Sequence, residues 1–330
     1  SKININAQIL EASERLGGRI NTIKGTLETP LELGATWFSE VHPNLLNLIS
    51  DLNISIYPQF SKGVSLFQTK SFEPAQKFHV PESDSPSYRL AGGTQILIES
   101  LLSKLPEENI YLKTKVVSVK EVSDAIQVET KDGRVFIADK VVICIPPQLI
   151  SKTINFSPNL PGELIDLLPN VQTWMAGAIK FVIEYSSSFW RDLGYSGMLY
   201  SHAGIISEMY DHTNYEGNKF GFTGFLNGGA SSYPSEIREE FVIKQLVELF
   251  GEGAEGRISY SDKVWTDEFI LEGNPIIQRP HQNNGHYLLQ QSYMNDRVIF
   301  ASTETSEQYP GYMEGAIVAA DKAYKKILEN

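Results

Sequence analysis

Phe300-Ala301-Ser302-Thr303-Glu304-Thr305, followed shortly by Tyr309-Pro310-Gly311-Tyr312-Met313-Glu314-Gly315-Ala316, is the stretch whose reading decides the fold. The apolar run 297–301 ahead of it reads as a strand that enters a polar loop. From 311 to 327 apolar residues recur at helical spacing, so a C-terminal helix is predicted to open at Gly311. Such a helix presents free N–H groups in its first turn, and glycine there lets a ligand come close. A bland surface helix has no need of Gly-Tyr-Met-Glu-Gly at its start.

Working outward from this end, the same strand-and-helix alternation recurs. Residues 7–12 read as a short strand ending in Glu11-Ala12, followed by Ser13-Glu14-Arg15-Leu16-Gly17-Gly18-Arg19, a polar loop with paired glycines. An acidic residue ending the second strand of a dinucleotide-binding fold faces the ribose hydroxyls, although a Glu after an apolar strand, taken alone, is more often merely a solvated strand end. Helical patterns are predicted over 43–56, with Pro43 in the first turn, and over 95–105, separated by a Ser- and Pro-rich stretch at 61–87. Strands follow at 111–122, 125–130 and 140–145, the last stopped by Pro146-Pro147. The middle of the chain reads as a second domain, with strands at 178–185 and 219–226 and a helix over 235–250.

At 330 residues, two domains interleaved in sequence are expected. Hydrophobic residues make up 42%, which suits a folded globular chain with a sizeable core. The formal net charge is −12 and no basic cluster exceeds Lys325-Lys326, so nucleic acid is not an expected partner. The single cysteine, Cys144, excludes a disulfide framework, and its apolar strand implies a buried, inert thiol. The six histidines show no metal-ligand spacing, although His281 and His286 share a loop, so no metal is expected. No run is long enough for a membrane span and no leader opens the sequence, which favours a cytoplasmic location.

Four separated segments resemble the signatures of the flavin-containing amine oxidase family, of monoamine and polyamine oxidase type. Glu11-Ala12 with Arg15-x-Gly17-Gly18-Arg19 is similar to the loop after that family's second strand. The resemblance implies that Glu11 holds the adenosine ribose, while Gly17, Gly18 and Arg19 approach the diphosphate. Leu33-Gly34-Ala35-Thr36-Trp37 resembles the motif whose backbone passes the isoalloxazine, although without that context it would read as core packing. Lys180, in Gly177-Ala178-Ile179-Lys180-Phe181, resembles the lysine aimed through a water at flavin N5. On its residues alone it could as well be a strand-edge lysine with its amine in solvent. Phe189-Trp190-Arg191 repeats a phrase common after that strand, and the 300–316 stretch is similar to the family's closing Gly-Tyr-Met-x-Gly-Ala signature. By the same resemblance Ser302, Thr303, Glu304, Gly311 and Met313 hold cofactor, Trp265 falls in family order, Val116 offers its backbone to adenine, and Tyr312 lines the substrate passage.

The fold implied is α/β: a Rossmann-like FAD-binding domain from residues 1–60, 89–169 and 268–330, and a mixed-sheet and helix substrate domain from 61–88 and 170–267. The activity implied is oxidation of an amine C–N bond to an imine, with dioxygen as acceptor and FAD as cofactor. A flavin desaturase or protoporphyrinogen-type oxidase of the same fold, and a flavin-free binding protein, are the alternatives. Ser1 stands directly before the second strand of the family pattern, without the strand, Gly-x-Gly-x-x-Gly turn and helix that precede it there. The chain as written is therefore expected to bind FAD weakly. The segment before Gly92 is short, implying an open substrate cavity. Counting from Trp265 puts Asn274 and Pro275 where subgroup members carry the attachment cysteine and a second aromatic, so flavin is expected to be noncovalent, with Tyr312 alone of the usual aromatic pair. The identity of the amine, and whether the chain forms a homo-oligomer, do not follow from the sequence.

Overall fold

The computed structural model describes residues 5–81, 85–266, 270 and 279–329. Its largest element is a seven-stranded sheet in the spatial order Arg257–Val264, Ile179–Tyr185, Phe220–Leu226, Ile206–Asp211, Tyr195–Ser201, Val64–Gln68 and Gln76–His79. Every neighbouring pair is antiparallel except Tyr195–Ser201 with Val64–Gln68.

The strand Ile179–Tyr185 is buried at every position because it has a partner on each side and cover on both faces. Ile179, Phe181, Ile183 and Tyr185 enter a core with Val242, Leu246 and Phe250 of the helix Ser235–Phe250. Successive side chains point to opposite faces, so Lys180, Val182 and Glu184 meet the segment 22–36 instead, where Val182 packs on Leu31 and Leu33. The helix itself has the predicted bounds and stops at Gly251, whose φ of 87° suits only glycine at low cost. Asp211 accepts from Trp190 Nε1 and from Arg191 Nε and Nη2 at 2.7–2.8 Å, which gives the Phe-Trp-Arg phrase a structural use.

The parallel pairing expected of an α/β fold is present in three short pieces: Ile9–Leu10 with Ile110–Tyr111, Val141–Ile143 with Val298–Phe300, and Asn155–Ser157 with Val116–Val122. Leu10, Val141, Ile143, Val298 and Phe300 share one core with Val119 and Val128. Those two valines belong to the antiparallel meander Val116–Val122, Ala125–Thr130 and Val135–Ala138. A third core joins the helices Pro43–Asp51 and Gln95–Leu102 to Met313 and Ile317 of the C-terminal helix, Met313–Glu329. Glu314, buried, caps the first of these helices by accepting from Asn44 N at 3.2 Å and Leu45 N at 2.8 Å, a carboxylate at the positive end of a helix dipole.

Several expectations are corrected. The helix predicted over 43–56 ends at Asp51, because the chain turns through Asn53 at φ 54° and pairs as the strand Ile56–Pro58. The helix predicted to 105 ends at Leu102, and the strand 111–122 is interrupted between Tyr111 and Val116. Cys144 is exposed, not buried, because the strand before it is the edge of its sheet, in a recess where surrounding protein still pushes the thiol up to about 11. Among the described residues no helix is long and apolar enough to cross a membrane, and no group of three His, Cys, Asp or Glu is placed to hold a metal.

Glu184 anchors the hairpin Thr22–Lys24/Pro30–Glu32 to the sheet: its buried carboxylate accepts from Leu27 N at 3.1 Å, Thr29 N at 3.3 Å and Ser259 Oγ at 3.0 Å. A Cβ at Gly25 would collide with it, so the turn needs glycine there. Glu184→Ala strands these donors and is expected to lower the unfolding free energy by about 2–4 kcal/mol, seen as a lower urea midpoint. Glu184→Gln, which keeps a carbonyl acceptor, is expected to lose less. An unchanged midpoint for the alanine variant would show that the carboxylate does not hold the hairpin.

Candidate functional site

Lys180 is the polar centre of the molecule. It lies in the middle of an otherwise apolar strand, is buried, and donates to Gly34 O at 2.7 Å and to Thr36 Oγ1. Its Nζ lies 4.7 Å from the ring centroid of Trp37 and 5.7 Å from that of Phe225. Burial holds its pKa down to about 7, with Glu32 opposing the shift and Arg89 adding to it. The solvated strand-edge alternative is thereby excluded. The amine stands at the junction of the sheet and the 33–37 segment.

A second layer supports it. Glu32, Arg89 and His212 are all buried; Glu32 accepts from Thr22 Oγ1 at 2.9 Å and from Thr94 N, and Arg89 donates to Thr213 O at 2.9 Å. His212 Nε2 accepts from Glu32 N at 3.2 Å, and burial, followed by Arg89 and Lys180, lowers its pKa well below the usual range, so the ring is neutral. Nothing in local spacing marks these three residues. They meet because the strands Pro30–Glu32 and Tyr88–Leu90 come together with the residue that follows the strand Ile206–Asp211.

The 302–316 loop is joined to the N-terminal loop by charge. Arg19 Nη1 and Nη2 donate to the two oxygens of Glu304 at 2.6 and 3.1 Å, a bidentate pair whose carboxylate is fully buried. Gly17 and Gly18 take φ of 118° and 56°, and the space where a Gly18 side chain would begin is open. Arg15 fastens this loop to itself, donating to Ile20 O at 2.8 Å and to Gly18 O at 2.5 Å. The helix start predicted at Gly311 is corrected. Gly311 N donates to Thr303 Oγ1 at 2.8 Å, so it is not a free N–H, and the helix begins at Met313. Thr303 Oγ1 also donates to Tyr312 O at 2.8 Å, whereas Ser302 Oγ is buried without a partner.

Tyr312 belongs to a ring cluster that the sequence reading missed. Its centroid is 5.9 Å from His42, 5.9 Å from His281 and 6.1 Å from Trp174, the His281 ring lying within 19° of parallel. Trp174 stacks on His281 at 4.4 Å and abuts Gly311, where a Cβ would strike it. Tyr312 is therefore not a lone aromatic. Asn274 and Pro275 lie outside the described residues.

The remaining candidates fall into two groups. Gly34, Ala35, Thr36 and Trp37 adjoin Lys180, and Trp265 reaches them from behind, its indole donating to Leu33 O at 2.9 Å. Glu11 and Val116 stand apart from Lys180, at the end of the strand Ile9–Leu10 and the start of Val116–Val122. Glu11 accepts from Ser13 N at 2.8 Å, and its backbone pairs with Tyr111 and Thr114.

A family model described as "Flavin containing amine oxidoreductase" matches residues 4–74 and 57–328. Amine oxidase [flavin-containing] A of Canis lupus familiaris is 27% identical over 249 residues, which cover 73% of this chain and 46% of that protein. Amine oxidase [flavin-containing] B of Homo sapiens is 28% identical over 249 residues, covering 73% and 47%. The chain thus spans about half the length of the curated relatives it matches. Two solved structures share the fold: cyclohexylamine oxidase from Brevibacterium oxydans IH-35A (TM-score 0.82, 19% identity, covering 98% of this chain and 94% of that one), and wild-type putrescine oxidase bound to putrescine (TM-score 0.83, 17% identity, 98% and 93%).

The depressed pKa of Lys180 makes a prediction about stability. The folded group releases its proton near pH 7 and the unfolded one near 10.5, the ordinary lysine value. Between those values the unfolded chain binds more protons, so this residue's contribution to stability rises with pH. Relative to Lys180→Met, the wild type is expected to gain about 2–4 kcal/mol between pH 6.5 and pH 10, measured by urea unfolding of both proteins. Parallel pH profiles would mean the amine is not titrating inside the fold.

Proposed function

The chain belongs to the family of flavin-containing amine oxidoreductases, and from that premise we propose that it oxidises an amine C–N bond to an imine, using noncovalent FAD and dioxygen as acceptor. The observation that carries this reading is the buried Lys180, neutral above about pH 7, set between the Gly34–Thr36 backbone and an aromatic wall of Trp37 and Phe225. Bound FAD would supply the two-electron acceptor for hydride leaving the amine carbon.

The residues present fit such a group. Ser302 offers a buried hydroxyl with no protein partner, Arg19 remains a quarter exposed while it neutralises Glu304, and Gly18 fronts open space. On this reading Glu11 takes the ribose hydroxyls, Gly17, Gly18 and Arg19 face phosphate, Val116 meets adenine, and Gly34, Ala35, Thr36, Ser302, Thr303, Glu304, Gly311 and Met313 surround the ring system and its chain. Trp265 acts through the 33–37 backbone. Lys180 orients a water or proton beside the reacting centre, and the apolar walls keep bulk water away from it. Tyr312, backed by His42, Trp174 and His281, lines the substrate passage. The proposed division into a cofactor domain (1–60, 89–169, 268–330) and a substrate domain (61–88, 170–267) draws support from the seven strands that 61–81 and 179–264 contribute to one sheet.

Amine-dependent loss of flavin absorbance under nitrogen tests the activity; no bleaching with any amine would sink it. In the loaded protein, Lys180→Met is expected to slow flavin reduction or reoxidation by about 10- to 10,000-fold while FAD stays bound. Unchanged rates in both half-reactions would reduce Lys180 to a structural residue. Because the only thiol, Cys144, sits beside the strand Val141–Ile143 and not in the 33–37, 174–180 or 302–316 segments, acid precipitation is expected to release all flavin to the supernatant. Flavin retained in the pellet would contradict noncovalent binding.

A further inference from the structure

Arg89 is a buried cation, 4% exposed, on the strand Tyr88–Leu90. Tyr57 stands directly opposite it on the paired strand, with its ring centroid 5.1 Å from the guanidinium carbon. The hydrogen bonds of Arg89 go to neutral acceptors: Nη1 donates to Thr213 O at 2.9 Å and Nη2 to His212 Nε2 at 3.3 Å. A guanidinium only donates, so Nε2 accepts, as it also does from Glu32 N. With two donors aimed at that nitrogen, the ring has no room for a second proton. Among the described residues no carboxylate forms an ion pair with Arg89. Arginine does not shed its proton in a protein, so the charge stays, buried and without a counter-ion of its own.

Lys180, 2% exposed, shares this neighbourhood. Glu32 lies two residues before Gly34, whose carbonyl takes the Lys180 amine, and its N–H reaches the same His212 nitrogen as Arg89 does. The 32–34 backbone thus gathers two buried cationic side chains around one buried carboxylate, which is itself held by the neutral donors Thr22 Oγ1 and Thr94 N. Other charged groups on this face have partners of their own. Glu208, in register with Phe225 and through it with Lys180, accepts from Tyr210. Glu184, four residues along the strand, holds Leu27 N and Thr29 N, and Asp211 is paired with Arg191. Lys263, opposite Lys180 on the next strand, has its amine 4.6 Å from the Trp265 ring centroid. With the Lys180 amine neutral, Arg89 and Glu32 balance; with it charged, two buried cations face one carboxylate. Burial and Arg89 therefore push the amine the same way, and Glu32 opposes them.

We infer that Arg89 is a positioning residue for Lys180: its guanidinium, locked by Thr213 O and the neutral His212 ring, biases the amine toward its proton-free form. Arg89 touches neither substrate nor cofactor in this role, and acts by charge alone. It sets the pH above which Lys180 can accept a proton from a water or reacting group. The use of that proton site rests on the amine-oxidase reading; the charge coupling does not.

The test follows the Lys180 amine directly, by NMR of protein with carbon-13-enriched lysine side chains. Its signal is the one lost in Lys180→Met, and its position is recorded between about pH 5.5 and pH 9.5. Arg89→Gln, which keeps a donor for Thr213 O but no charge, is expected to move the midpoint up by about one pH unit. Glu32→Gln, which keeps an acceptor for Thr94 N, is expected to move it down. General loosening of the site would raise the midpoint in both variants, so the opposite signs separate charge from packing. An unmoved midpoint in Arg89→Gln, or a rise in both, would overturn the assignment. Where Arg89→Gln does not fold, an unmoved or raised midpoint in Glu32→Gln overturns it. In flavin-loaded protein with saturating amine, the rising limb of the flavin-reduction rate is expected to shift with the Arg89→Gln midpoint. A shifted midpoint with an unshifted limb would uphold the coupling and sink the proton role given to Lys180 in the oxidase reading.

Discussion

The fully buried carboxylate of Glu304 has to be answered by donors, and the fork of Arg19 answers it from 285 residues away. A buried charge without its partner is costly, so this pair ties the loop after the strand Val298–Phe300 to the glycine loop before the hairpin. The same device recurs twice. Glu314 holds the N-terminus of the helix Pro43–Asp51, and Glu184 holds the turn at 24–29 against the sheet. Three acidic side chains thus fix how the opening segments lie on the rest of the chain.

What those ties produce is a seam between the sheet and the 33–37 segment. The strand Ile179–Tyr185 gives its odd-numbered side chains to the helix-covered core and its even-numbered ones to the seam. Lys180 is therefore committed to a desolvated place by the same alternation that buries Val182. Burial lowers its proton affinity, and the acceptors at Gly34 and Thr36 fix where the amine points. A lysine so placed can act on a proton near neutral pH, which an exposed one cannot do at all readily.

The surroundings of Lys180 are set by the sheet as much as by the loops. Phe225, Glu208 and Tyr200 come from three different strands, and only hydrogen-bond register sets them beside Lys180. At the other side of the seam Tyr312 gains His42, Trp174 and His281 from three further segments. Both walls are assembled from residues whose neighbours in sequence are unremarkable.

The sequence by itself determined the α/β class, the family, and the positions of Lys180, Arg19, Glu304 and Tyr312 within their motifs, because these rest on local order: apolar runs, glycine loops and fixed short spacings. The helix Ser235–Phe250 was legible to the residue because its periodicity ends at Gly251. Other element ends were not. The helix predicted over 43–56 yielded its tail to pairing with Tyr88–Leu90, and the Gly311 N–H expected to be free is taken by Thr303. Only the tertiary structure decided that Lys180 is buried, that Cys144 is exposed at a sheet edge, and that Glu208 shares a row with Lys180. Each of those depends on which strand pairs with which and on what covers each face. Contacts between segments tens to hundreds of residues apart leave no trace in local periodicity.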